Sequence, residues 1–278
     1  MSVIDRINIV HESPSYLAQH ASGRLHVVAR TLTAGLEKCR LCPNRCGTDR
    51  TSEPGAMCRT GTFPRVASYG PHHGEERPIS GRRGSRTIFF AGCNMRCLYC
   101  QNWDISQMDS GREVSFKELG NYMLELQQKG CHNINLVSPS HVVPAIVKAL
   151  CYAVERGLRI PIVYNSGGFD SVETLQLLES IFDIYMPDFK YSDEDTGRRL
   201  SGVSNYPYHA AQAISEMHRQ VGDLKLDIKG IAYRGLLVRH LVLPEELSGS
   251  KNIIDFLYEL SPDTYVNIMD QYHPAYRA

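Results

Sequence analysis

The chain has 278 residues, 42% of them hydrophobic, and 30 Lys plus Arg balance 30 Asp plus Glu to a formal net charge of zero. This is enough for one large α/β core with a small appendage, and the charge balance gives no electrostatic case for nucleic acid or an anionic membrane as partner. No long apolar run is present and the opening Met1-Ser2-Val3-Ile4-Asp5-Arg6 has no apolar leader core, so neither a membrane helix nor secretion is expected and a cytoplasmic location is.

Residues 13–37 read as helical, with Leu17, Leu25, Val28, Leu32 and Leu36 at three- and four-residue steps and a break at Gly23. A cysteine-rich segment, 39–61, follows. Its Cys39, Cys42, Cys46 and Cys58 give four thiols at spacings x2, x3 and x11, a full ligand set that suits a structural zinc or an auxiliary iron-sulfur cluster equally. In a reducing compartment such clustered cysteines hold metal more often than they pair. The run Gly70-Pro71-His72-His73-Gly74-Glu75-Glu76-Arg77-Pro78 reads as a surface or lid loop.

From residue 86 onward, strand patterns at 86–91, 132–138, 160–165, 182–189, 234–243 and 264–270 alternate with helical patterns at 115–129, 141–156, 171–180, 207–221 and 249–260. Ser115 and Glu118 have capping-box spacing. Such alternation predicts right-handed βαβ units on a parallel sheet. Six units predict an α/β fold closing only partly, a partial (β/α)6 barrel with its active site at the carboxyl ends of the strands. The expected organisation is residues 1–85 as N-terminal helix, cysteine-rich segment and lid loop, and 86–278 as the barrel. Cys131 and Cys151 fit small core residues.

The densest chemistry follows the first barrel strand: Cys93, Cys97 and Cys100 in a C-x3-C-x2-C run. Three thiolates can hold a [4Fe-4S] cluster while leaving one iron open to an exchangeable ligand. A zinc site is the rival reading, but it needs a fourth ligand and favours the shorter C-x2-C knuckle at both ends.

With Tyr99 just before the last cysteine, this loop resembles the cluster loop of the radical S-adenosylmethionine (SAM) enzymes. Ile79-Ser80-Gly81, Phe89-Phe90-Ala91-Gly92-Cys93, Cys100-Gln101-Asn102, Met186-Pro187-Asp188-Phe189-Lys190-Tyr191 and Arg239-His240-Leu241-Val242-Leu243-Pro244 resemble the pyruvate formate-lyase activating enzyme family, in its branch with an extra N-terminal cysteine motif. The resemblance implies that SAM chelates the open iron and that a flavodoxin- or ferredoxin-like reductant supplies one electron. A 5′-deoxyadenosyl radical then removes a hydrogen atom from a protein or small molecule. Three functions are expected as alternatives: installing a glycyl radical in a partner protein, modifying a small molecule, peptide or other side chain, or serving as a non-catalytic iron-sulfur or zinc protein.

The same resemblance, read against the strand ends, nominates cofactor-binding residues. Tyr99 and Asn102 lie in the cluster loop. Asn165 and Ser166, before Gly167-Gly168, resemble the family's Asn-Gly step near the ribose. Asp188 and Lys190 share a face by the two-residue strand period and resemble the Asp-x-Lys pair near the methionyl group; a structural ion pair is the alternative. His273 resembles the Tyr-His step. The wider superfamily often carries Gly-Gly-Glu after the second strand, where this chain has Val137-Ser138-Pro139-Ser140-His141. Ser138 and Ser140 are then expected to take part of the missing carboxylate's role, with an N-cap as the other reading of Ser140. His240 reads as a core histidine, and Arg239 faces the opposite way. The resembled chains often continue with another helix, whereas this sequence stops at Ala278, so the barrel edge is expected to be open or completed by something else.

Overall fold

The computed structural model describes residues 13–72, 74–81, 84–108 and 110–278. His73 and the opening residues read above for a leader lie outside the described residues. Nine strands form one sheet: β1 (Arg65–His72), β2 (Ser85–Phe90), β3 (Arg112–Glu113), β4 (Ile134–Val137), β5 (Ile162–Ser166), β6 (Ile184–Pro187), β7 (Lys225–Leu226), β8 (Ala232–Leu241) and β9 (Tyr265–Met269). Its order is β3-β1-β2-β4-β5-β6-β8-β7, with β9 also pairing with β8.

The six parallel neighbours β2, β4, β5, β6, β8 and β9 are the six strands expected. Among the described residues β9 does not pair with β2, so the barrel stays open. The three additional strands pair antiparallel and were not legible; two of them are two residues long.

Helices α1 (Ser15–Ala21) and α2 (Arg24–Ala34) precede the sheet, and Gly23 at φ +79° makes the break between them. The short α3 (Arg77–Ser80) and α4 (Trp103–Ser106) flank the cysteine loop's strand. Then α5 (Phe116–Gln128), α6 (Val143–Glu155), α7 (Val172–Leu177), α8 (Glu194–Ser201), α9 (Tyr206–Val221) and α10 (Ser250–Leu260) cover the sheet. The Ser115 hydroxyl accepts from the Glu118 N–H and the Glu118 carboxylate from the Ser115 N–H, the expected capping box. Cys131 and Cys151 are buried.

Strand alternation sorts side chains between two cores. Ile88, Phe90, Ile134, Leu136, Tyr164, Tyr185, Leu236 and Val238 belong to the large helix-side cluster. Val163, Ile184, Met186 and Leu237 turn into the lumen, where Ile79 of α3 packs among them. The segment read as a surface lid is therefore a strand followed by a plug. β1 runs antiparallel to β2, with His72 opposite Ser85, so the chain leaves β1 at the amino end of the barrel. There α3 seals it, its Ile79 carbonyl accepting from Asn133 Nδ2 at 2.8 Å. Pro71 fits inside β1 because β3 pairs only with Arg65 and Val66, leaving an open edge where no N–H is required.

Candidate active site

The cysteine loop leaves β2 at the carboxyl end of the barrel. Gly92 adopts φ +80°, and the Cys58 carbonyl oxygen lies 2.4 Å from where a Cβ would stand, so only glycine lets the N-terminal cysteine segment cross here. Two backbone bonds dock the loop on the end of α8: Arg96 N–H to Ser201 O and Leu98 N–H to Leu200 O, both 2.8 Å. The three thiols are free. Cys97 Sγ lies 3.0 Å from Ser201 Oγ and Cys100 Sγ 3.2 Å from Ser106 Oγ. Burial, then the neighbouring Cys97, pushes the Cys93 thiol up to about 12. Burial also raises Cys97, against the pull of Lys190. Thiols so disposed ionise when a metal supplies the positive charge, and hydroxyls beside two of them suit sulfurs carrying negative charge. Three such donors, none tied in a disulfide, fit a [4Fe-4S] cluster.

Below the loop, strand ends converge on one charged group. Lys190 Nζ donates to Asp188 Oδ2 at 2.5 Å, Arg239 Nε to Asp188 Oδ1 at 2.8 Å, and Arg239 Nη2 to Asn165 Oδ1 at 2.8 Å. Burial disfavours the ionised Asp188, but Arg239 and Lys190 outweigh it and hold the carboxyl below its usual range. Burial likewise opposes the Lys190 cation, and Asp188 then Cys97 hold it charged. The Tyr206 hydroxyl accepts from the Lys190 N–H at 2.9 Å and lies 2.9 Å from Gly167 O, fixing the β5 and β6 ends together. Gly167 leaves a space where a Cβ would stand 2.9 Å from Met95 of the cysteine loop and 3.7 Å from Lys190 Cε.

Asn165, Asp188 and Lys190 are thus brought together below the cysteine loop, which itself carries Tyr99 and Asn102; the other nominated residues take no part in these bonds. Ser166 Oγ donates to Asp170 Oδ2 at 2.6 Å behind the sheet, and Ser140 is buried and bonds the same carboxylate. The strand period turns Ser166, on the same face as Tyr164, away from the lumen; Ser140 lies beyond the end of β4, and the residue preceding α6 is Val142. Ser138 sits at φ +59°, a conformation glycine adopts without strain, and its N–H bonds Asn165 O at 2.9 Å. Tyr99 is buried, its hydroxyl 2.6 Å from that of Tyr191. Asn102 and His273 are exposed, although the segment after β9 returns over the loop, Arg277 N–H donating to Leu98 O at 2.9 Å. His240 is a satisfied core histidine, Nδ1 2.7 Å from Phe189 O and Nε2 2.8 Å from Ser250 Oγ.

The sequence profile of the radical SAM superfamily matches residues 87–227, which holds β2, the cysteine loop and the Asp188–Lys190 strand end. The chain belongs to the radical SAM superfamily. The uncharacterized protein MJ0674 of Methanocaldococcus jannaschii is 32% identical over 252 residues, 87% of this chain and 68% of that protein. A pyruvate formate-lyase-activating enzyme of Staphylococcus aureus is 28% identical over 152 residues, 50% of this radical SAM chain and 60% of that enzyme. A solved structure of TYW1 with a lysine-pyruvate adduct bound overlaps 72% of this chain and 71% of its own, with a TM-score of 0.44 and 10% identity. A radical SAM protein uses a [4Fe-4S] cluster and SAM, a reductant and a substrate.

Beside the radical SAM loop, Cys39, Cys42, Cys46 and Cys58 line one cavity of about 20 Å³, with Arg50, Asn94 and His141. Arg50 is buried, its Nη1 3.7 Å from Cys39 Sγ while Nε and Nη2 donate to the carbonyls of Thr60 and Gly61 at 2.8 Å. Burial, then Arg50, depresses His141 to about 3; its Nε2 lies 3.0 Å from Ala91 O. Asn44 Nδ2 donates to Asn94 O at 2.8 Å, tying this cavity to the residue after Cys93. Sequence reasoning missed Arg50, His141, Tyr191, Ser201 and Tyr206. Only α8, which carries Ser201, left a readable signal: Asp193 as cap, Glu194 and Asp195 first, Arg198 and Arg199 last, and Gly202 after the end.

Proposed function

We propose that this protein binds a [4Fe-4S] cluster on Cys93, Cys97 and Cys100 and cleaves SAM reductively to start hydrogen abstraction. The observation that carries the reading is geometric: three free thiols stand in one loop whose Met95 packs at Gly167 beside Lys190, and Asp188 holds Lys190 at 2.5 Å. A cluster held by Cys93, Cys97 and Cys100, given one electron by a flavodoxin- or ferredoxin-like donor, would supply reductive cleavage of the C5′–S bond of SAM to methionine and a 5′-deoxyadenosyl radical, which would take a hydrogen atom from the substrate. Lys190 and Asp188 would orient the charged methionyl end, and Asn165, whose amide oxygen accepts from Arg239, would offer its amide group nearby. These polar strand-end groups favour catalysis over an electron-carrying or purely structural role.

Anaerobic reconstitution, reduction with dithionite and assay for 5′-deoxyadenosine and methionine tests it. The wild type is expected to release both, and the Cys93→Ala, Cys97→Ala, Cys100→Ala triple variant neither. Release by the triple variant sinks the assignment.

For the substrate, glycyl-radical installation is supported by the partial match to the S. aureus activating enzyme. A glycyl-radical EPR signal in a partner protein, appearing only with SAM and this enzyme, is its test. A second reading, a small polar molecule, is favoured by the polar lumen described next. Cys39, Cys42, Cys46 and Cys58 are proposed to hold a second metal, zinc or an auxiliary iron-sulfur cluster, with the buried Arg50 guanidinium offsetting thiolate charge.

A further inference from the structure

The barrel lumen contains polar groups that the fold leaves unsatisfied. Thr87 and Asn135 are register partners on β2 and β4, and their neighbours Ile88, Ile134 and Leu136 face the helices, so the strand period aims both into the lumen. Both are buried, and Thr87 Oγ1, Asn135 Oδ1 and Asn135 Nδ2 have no hydrogen-bond partner among the described residues. From the plug segment, Glu75 and Glu76 extend inward with side chains 7% and 8% exposed. Glu75 Oε2 lies 3.8 Å from Arg239 Nη1, and His72 Nδ1 stands 3.4 Å from Glu75 Oε1 on the outer side. Glu76 Oε1 accepts from Asn267 Nδ2 at 2.9 Å and lies 4.0 Å from Arg239 Nε, while Glu76 Oε2 is buried with no hydrogen-bond partner among the described residues.

An orphaned buried polar atom is destabilising and an orphaned charge more so, and such atoms in a native fold call for a ligand, water or ion. Water satisfies a hydroxyl or an amide but does not balance a carboxylate. Glu75, Glu76 and Asp188 are three carboxylates; Arg239 and Lys190, both engaged with Asp188, are the two permanent cations, and His72 beside Glu75 is charged only when protonated. Burial pushes the Glu75 carboxyl up, with Arg239 opposing the rise and Glu76 adding to it.

Resting on the radical SAM reading above, we infer that the lumen floor recognises a small polar substrate through a protonated amine, with Glu76 Oε2 receiving the ammonium and Asn135 and Thr87 binding adjacent donors and acceptors. A glycine loop offers no such cation. SAM's own ammonium has the same chemistry, and the experiment separates the two sources.

Binding of 1,4-diaminobutane and of its neutral counterpart 1,4-butanediol to the anaerobically reconstituted protein is measured by calorimetry with unreduced SAM present. The wild type is expected to bind the diamine at least tenfold more tightly, and Glu76→Gln to lose that preference. Thr87→Val guards against misfolding of the first variant. It deletes the orphaned hydroxyl at nearly constant volume, so its melting temperature should not fall below wild type while the diamine binds several-fold more weakly. Equal affinities for diamine and diol in the wild type overturn the inference. So does Glu76→Gln weakening SAM binding in place of diamine binding, which assigns the carboxylate to SAM, and so does Thr87→Val leaving diamine affinity unchanged. Failure of the wild type to release 5′-deoxyadenosine is read in a separate assay and overturns the radical SAM reading, not the amine site.

Discussion

Ser201 Oγ lies 3.0 Å from Cys97 Sγ. It also lies 2.7 Å from the Tyr191 hydroxyl, which is 2.6 Å from that of Tyr99. Once Cys97 ligates iron as a thiolate it can only accept, so the direction of the whole chain follows: Ser201 donates to sulfur, Tyr191 to Ser201, and Tyr99 to Tyr191. A donor on a cluster sulfur stabilises the reduced, more negative state. Ser201→Ala is therefore expected to lower the midpoint potential of the reconstituted cluster. Each 1 kcal/mol of differential bonding corresponds to roughly 40 mV for one electron, from 59 mV per tenfold. EPR-monitored redox titration reads it, and an unshifted potential assigns Ser201 to packing alone.

The Asp188–Lys190 pair gives a binding prediction. A hydrogen bond from a charged group to SAM is worth about 1.5–3 kcal/mol, so Lys190→Ala and Asp188→Ala should each weaken SAM binding by roughly tenfold or more while iron content stays at the wild-type level. Undiminished SAM affinity in both returns the pair to a structural ion pair.

For the second cavity, metal analysis of the Cys93, Cys97, Cys100 triple alanine variant is decisive. Retained zinc identifies a structural site at Cys39, Cys42, Cys46 and Cys58, and retained iron with sulfide an auxiliary cluster. A folded variant with neither metal removes the second site.

The plug should be costly to empty. Ile79 is fully buried against Val163, Ile184, Met186, Ala232 and Leu237, so Ile79→Ala is expected to lose about 2–5 kcal/mol of stability, measured by urea unfolding. A cost below about 0.5 kcal/mol, the range of surface substitutions, would place α3 outside the core.

Asp183 carries a pH signature. It is 3% exposed, accepts from the Ser15 N–H at 2.7 Å, and burial raises it to about 6. The folded state therefore binds more protons than the unfolded chain between about pH 4 and 6, and this group's contribution is present at low pH and lost as pH rises through 6. From pH 5 to 7 the wild type should lose about 1 kcal/mol of unfolding free energy relative to Asp183→Asn. Parallel curves for the two proteins would refute it.

What the sequence determined by itself is what neighbouring residues encode. The cysteine spacing, the Ser115–Glu118 cap, the break at Gly23, the six parallel strands and the helices with an apolar face all depend on spacings of a few residues, and periodicity reads them. The two-residue strand period also put Asp188 and Lys190 on one face. Tertiary structure alone decided what each face meets. Ser201 reaches Cys97 across 104 residues and Tyr99 meets Tyr191 across 92. Ser166 turned to Asp170 because alternation carried it to the helix side, and Ser140 meets the same carboxylate from the loop after β4. The Gly70–Pro78 segment became strand and plug because β1 pairs antiparallel with β2 and delivers the chain to the barrel's amino end. Register between distant strands, fixed by burying one face of each, is a property of the assembled sheet, and no local window of the sequence contains it.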